Sequence, residues 1–202
     1  MPQTDADFAA GRTEAAFAAD PEQAAFAAID FGTSNSAIAL PAGEHGVSLV
    51  AVENGLTTMP TAVFYRADGD ASRAEPERLY GRAAIAAYVE GQDGRLMRSM
   101  KSILGSTLLE QSTDVGGGRA VRYLDVIVGY LRHLKALAEA EAGAALQRVV
   151  LGRPVFFVDD DPERDARAQH ALESAARQVG FREVDRKSTR LNSSHIPLSR
   201  MP

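Results

Sequence analysis

Five polar or flexible residues, Asp30, Gly32, Thr33, Ser34 and Asn35, stand together between two apolar runs. The stretch reads Ala27-Ala28-Ile29-Asp30-Phe31-Gly32-Thr33-Ser34-Asn35-Ser36-Ala37-Ile38-Ala39-Leu40. Apolar residues lead up to Ile29 and resume at Ala37, with turn-tolerant types between them. This order predicts strand, tight turn, strand. Asp30 falls where the first strand ends. Gly32 has no Cβ, so the backbone there can come close to a ligand. Successive N–H groups of residues 32–35 can form a concave nest that suits an anion. Thr33 and Ser34 add hydroxyl donors. Asp30 has the wrong charge for a phosphate but the right one for a hydrated Mg²⁺ accompanying it, because magnesium keeps most of its waters and takes few carboxylates. The plainer reading is a hairpin whose Asp and Asn only make the turn. No Gly-Lys-Ser/Thr follows and no helix start supplies a dipole, so the stretch is not a Walker A loop.

The elements that must hold this turn come from a chain of 202 residues, enough for one domain or slightly more. Apolar residues make up 45 %, which supports a packed core. Cysteine is absent, which excludes a disulfide framework, a thiolate metal site and a Cys nucleophile. No apolar run is long enough to cross a bilayer. The N-terminus lacks a secretory pattern, and a cytoplasmic protein is expected. Net charge is −5, and Arg186, Lys187, Arg190 and Arg200 all follow the last acidic residue, Asp185. The body is therefore more acidic than the whole, which argues against nucleic-acid binding through phosphates.

Residues 1–24 are Ala-rich with scattered Phe and are expected to form a flexible extension, with transient helix around residues 15–19. Residues 47–52 and 61–65 predict two further strands, so that four strands close in sequence imply a mostly antiparallel sheet. Residues 81–88 predict a helix. Lys101 would ordinarily be a solvated surface charge, and Arg95 and Arg98 are read so. Asp114-Val115-Gly116-Gly117-Gly118 is read as a flexible loop, because a polar stretch precedes it. Residues 123–142 give the clearest helix, with Leu124, Ile127, Val128, Leu131, Leu134 and Leu137 on one stripe and His133 off it, toward solvent. Residues 148–157 predict a buried strand interrupted at Gly152. Asp161 and Pro162 start a helix that Gly180 stops, and Phe181 leads into a last strand.

Ile29-Asp30-Phe31-Gly32-Thr33-Ser34-Asn35-Ser36 resembles the first phosphate motif of the seventy-kilodalton heat-shock chaperones, the DnaK family. The motif also marks the wider actin-like ATPase and sugar kinase superfamily. Further segments resemble that family in the same order. Thr57-Thr58-Met59-Pro60-Thr61-Ala62-Val63 resembles its Thr-Thr-Pro-Ser-x-Val segment, with Met59 inserted. Met100-Lys101-Ser102-Ile103-Leu104-Gly105 resembles its Ile-Lys-Arg-Leu-Ile-Gly segment. The strand around Gly152-Arg153-Pro154-Val155 is closer to the YegD-like branch. Asp114 to Gly118 superficially resembles the second phosphate motif, but it precedes the long helix and Arg119 stands where a Thr is needed.

The resemblance covers roughly residues 27–185. It implies an α/β, actin-like ATPase (ribonuclease H-like) fold, first lobe only: a mixed sheet with flanking helices and a smaller subdomain around residues 60–110. The implied ligands are ATP or ADP with Mg²⁺, held at Gly32, Thr33, Ser34 and Asn35, with Asp30 meeting the metal through water. Lys101 becomes the catalytic lysine beside the γ-phosphate. Pro154 becomes the relay to a partner domain, supported by Arg164 or Arg167. Unfolded or client polypeptide would bind through parts beyond this chain. A sugar or acid kinase of the same superfamily and an actin-like filament protein are the alternatives.

The family's continuation after Asp185 does not arrive. Residues 186–202 are basic, Ser-rich and without periodicity, as in translated adapter sequence joined to a truncated gene, so His195 is no ligand. The intact parent is expected to be a slow, chaperone-like ATP hydrolase and this fragment to be inactive alone. Loss of only three hydrogen bonds of ~1 kcal/mol each with the second lobe costs about two orders of magnitude in affinity.

Overall fold

Alternation of buried and exposed residues sets the first strand. The computed structural model describes residues 26–43, 46–69, 75–153 and 161–188. The Ala-rich extension, Pro154 and the tail after Ser188, with His195, lie outside the described residues. In β1 (Phe26–Phe31), Ala27, Ile29 and Phe31 are buried while Asp30 is exposed, as a strand requires when one face packs. A turn leads into β2 (Asn35–Ala42), antiparallel to β1 with Ile29 opposite Ile38. β3 (Gly46–Leu49) continues the antiparallel run, and the short β4 (Met59–Pro60) pairs with the start of β2.

The chain then leaves this sheet. β5 (Ala62–Arg66) is the middle strand of a second sheet, between β6 (Arg78–Tyr80) and β7 (Gly94–Arg98). The expectation of four early strands in one sheet is thus corrected. The physical reason is that residues 62–65 are all buried. Ala62 and Phe64 pack with Ala84 and Ala87 of α1 (Gly81–Val89), whereas Val63 and Tyr65 join the main core. β5 is a wall shared by two cores, which a half-exposed hairpin cannot be. Arg82 fastens this unit to the preceding loop: its N–H and Nη1 meet the Glu53 carboxylate at 2.7 and 2.6 Å, and Nη1 also reaches the Thr58 carbonyl at 2.9 Å. Arg95 and Arg98 are exposed on β7.

The Asp114 to Gly118 segment is not a loop but a hairpin of β8 (Ser112–Gly116) and β9 (Arg119–Arg122). Thr113 and Val115 are buried and alternate with exposed Ser112 and Asp114. Gly116, Gly117 and Gly118 all take positive φ, which makes the turn, and Asp114 Oδ1 accepts the Gly116 N–H at 2.8 Å. These glycines are spent on chain reversal.

α2 (Tyr123–Ala142) has the bounds its periodicity predicts and ends at left-handed Gly143. It crosses over to β10 (Arg148–Arg153), parallel to β1. β10 is not interrupted at Gly152, which pairs with Asp30 on one side and Lys187 on the other. α3 (Pro162–Gln178) is capped by Asp161, whose carboxylate accepts the Arg164 N–H at 3.0 Å, and it leads to β11 (Glu183–Ser188), parallel to β10. β11 includes residues 186–188, so the regular ladder runs three residues into the basic segment. The main sheet has the order β11-β10-β1-β2-β3. α2 and α3 touch each other and share one core with Ile29, Phe31, Val149 and Leu151. The fold is therefore α/β, with a mixed sheet and flanking helices. Among the described residues, no helix is long and apolar enough to cross a membrane.

His133 departs from its solvated reading. Its ring stacks on Tyr80 at 4.2 Å and 7°, and burial pushes its pKa down while Glu53 pulls it up more weakly. The unfolded chain then binds the proton more readily than the folded one. Stability is present above the unfolded value, near 6.5, and is lost as pH falls through it toward the folded value. His133→Phe keeps a ring on Tyr80 and removes the titration. Urea unfolding between about pH 7 and about pH 5 should show a shallower acid loss in this variant than in the parent. Identical slopes would show that His133 has no share in it.

Candidate functional site

Asp30 ends up at the exposed end of β1 because the strand's alternation leaves it no other face. Its cross-strand neighbours are Ala37 on β2 and Gly152 on β10. Both are small, so neither covers the carboxylate. A Cβ on Gly152 would lie 3.8 Å from Asp30 Oδ1, so any longer side chain there would crowd it. In sequence Gly152 marks only an interruption of a strand; its place beside Asp30 needs the parallel register.

The turn that follows exposes Thr33, Ser34 and Asn35. Gly32 has a structural reason to be glycine as well. A Cβ there would sit 2.1 Å from the Asn35 carbonyl oxygen, so the turn itself cannot close around a side chain. On the far side, the Ser34 carbonyl accepts the Thr61 N–H at 2.9 Å, and Asn35 and Ser36 pair with Pro60 and Met59. The Thr57 to Val63 segment therefore braces the turn.

Lys101 approaches from the other sheet. It lies in a single 3-10 turn, Met100–Ile103, just after β7. Ser99 enters this turn in the left-handed region, at φ 57 and ψ 33, and its carbonyl accepts the Ser102 hydroxyl at 2.6 Å. Buried Met100 and Leu104 anchor the turn on either side. Half-burial pushes the Lys101 pKa down, and the Asp30 carboxylate opposes that shift. The fold thus brings Lys101 within electrostatic reach of Asp30, from a different sheet. Pro154 lies outside the described residues, and Arg164 and Arg167 are exposed on the first turns of α3.

A layer below the turn was not legible as functional. Ser36 and Thr61 share a hydrogen bond of 2.8 Å, both almost fully buried. The Tyr130 hydroxyl of α2 donates to the Pro60 carbonyl at 3.0 Å, with Met59 O at 3.3 Å. The one available signal was Ser36, a hydroxyl in phase with apolar Ile38. A shallow hollow of about 470 Å³ lies along the second half of α3, lined by His170, Glu173, Ser174, Arg177 and Gln178. It shares no residue with the turn. Among the described residues, no three His, Asp or Glu side chains gather as a metal cage.

No protein-family model matches the chain.

If Asp30 sustains the charge on Lys101, Asp30→Asn lowers the Lys101 pKa further, since burial then acts unopposed. Carbon NMR of the lysine Cε through an alkaline titration reads this directly. An unchanged or higher value would mean the two groups do not interact.

Proposed function

We propose that this chain forms the first phosphate-binding lobe of an actin-like, ribonuclease-H-like ATPase domain of the seventy-kilodalton heat-shock type, in its YegD-like branch. The observation that carries the reading is the convergence of Asp30 and Lys101 beside an exposed turn. The two come from separate sheets. The mixed sheet, with a hairpin at its start and both helices on one face, supports the same reading.

The residues fit ATP with magnesium. A single open carboxylate suits an ion that keeps most of its waters, and hydroxyls and backbone amides of residues 32–35 suit phosphate oxygens. When bound, the metal neutralises charge on the phosphates. Thr33 and Ser34 would donate hydrogen bonds to phosphate oxygens, and Asp30 would accept from the metal's waters. The Lys101 ammonium would offset charge that grows on a transferring phosphoryl group, and its half-buried setting would strengthen that attraction. Pro154, two residues past Gly152, would relay the state of this site onward. In a domain of this type the outcome is slow, nucleotide-gated hydrolysis coupled to a client polypeptide.

The test is a titration of the full 202-residue chain with MgATP, followed by amide nitrogen–proton NMR. Shifts should concentrate at residues 32–35 and 101, saturating only at millimolar nucleotide. Asp30→Asn should remove the magnesium-dependent part. Shifts centred elsewhere, or none at all, would overturn the proposal.

A further inference from the structure

The two halves of the candidate site belong to different sheets. Asp30 and residues 32–35 lie on the β1–β2 hairpin of the main sheet, whereas Lys101 follows β7 of the smaller one. The chain passes from the first sheet to the second at Thr61, between β4 and β5. Whatever holds Thr61 therefore sets the distance between the turn and the lysine.

Thr61 is held from three directions. Its N–H donates to the Ser34 carbonyl at 2.9 Å, inside the turn. Its hydroxyl meets Ser36 Oγ at 2.8 Å. The Tyr130 hydroxyl donates to the Pro60 carbonyl at 3.0 Å, with the Ser36 and Thr61 hydroxyls close enough to act against the upward push of burial on its pKa. The Tyr130 ring is fully buried and meets Phe31 of β1 edge-on at 6.0 Å and Tyr80, at the entrance of α1, at 6.3 Å. One side chain thus touches the hairpin, the crossing and the small unit. Burial pushes its pKa up to about 12, so it stays a donor.

We propose that Tyr130 is a positioning residue whose buried hydroxyl, with those of Ser36 and Thr61, locks the small sheet to the main sheet and so fixes the spacing between the phosphate turn and Lys101. Its importance for nucleotide rests on the reading above; the lock itself does not. A core-filling tyrosine would need the ring alone. A positioning tyrosine needs the oxygen, because a polar network left partly unsatisfied in a dry core loses its unique geometry.

The chain has no cysteine, so two can be introduced for spin labels. Ser48→Cys on β3 and Arg98→Cys on β7 put one exposed label on each sheet. Pulsed electron resonance then gives the distance distribution in the full chain without nucleotide. Tyr130→Phe should broaden it about twofold, Thr61→Val should do the same, and the two together should add little, because they cut one network. Leu172→Ala, which opens a cavity under α3, is the control for lost stability and should leave the width unchanged. The proposal is overturned if Tyr130→Phe leaves the distribution as narrow as the parent's, or no broader than Leu172→Ala does. Should Tyr130→Phe fail to fold, Thr61→Val carries the test on the same terms. Broadening together with no MgATP response would keep the lock and sink the nucleotide reading.

Discussion

The register of β1 is the constraint on which the rest of the structure depends. This strand is hydrogen-bonded on both sides, antiparallel to β2 and parallel to β10, with Ile29 flanked by Ile38 and Leu151. Ala27, Ile29 and Phe31 feed the core under α2 and α3. A slip of one residue would send Asp30 into that core and Phe31 out to water. Burying an unpaired carboxylate costs far more than the strand can recover, so the apolar side of β1 decides where the acid stands. The position of the candidate site is thus a consequence of core packing.

The same logic explains why the site is divided. β5 is buried on both faces, one toward α1 and one toward α2, so it cannot also be an edge of the main sheet. Once β5 becomes the centre of its own sheet, β7 pairs with it and the turn bearing Lys101 follows. The lysine therefore comes within electrostatic range of Asp30 from a separate unit, and their separation depends on how firmly the two units are joined. The buried hydroxyls around Thr61 and the Glu53–Arg82 pair are the polar joints there. The latter is partly exposed and contributes mainly geometry, since solvent screens it.

Local signals carried far where one element fixed its own boundary. The stripe from Leu124 to Leu137 defined α2, and Asp161 with Pro162 defined the start of α3, because caps and periodicity act within a few residues. They misled where the deciding contact was distant. Three glycines after Asp114 suggested slackness, yet Thr113 and Val115 have a core to enter and make a hairpin of it. Gly152 suggested a break, yet two neighbouring strands supply its ladder. His133 lies off the apolar stripe, and Tyr80, from another element, stacks on its ring and half-covers it.

The sequence by itself determined the hairpin, the two long helices and the face on which Asp30 stands, since each follows from periodicity and turn chemistry over a short span. It also carried the resemblance through which Lys101 was singled out. Only the tertiary structure decided that Lys101 comes within electrostatic range of Asp30, that Gly152 stands beside Asp30, and that Ser36, Thr61 and Tyr130 form one buried polar set. These are relations between strands and helices far apart in the chain. Their geometry arises from sheet register and the packing of two cores, which no local pattern of residues encodes.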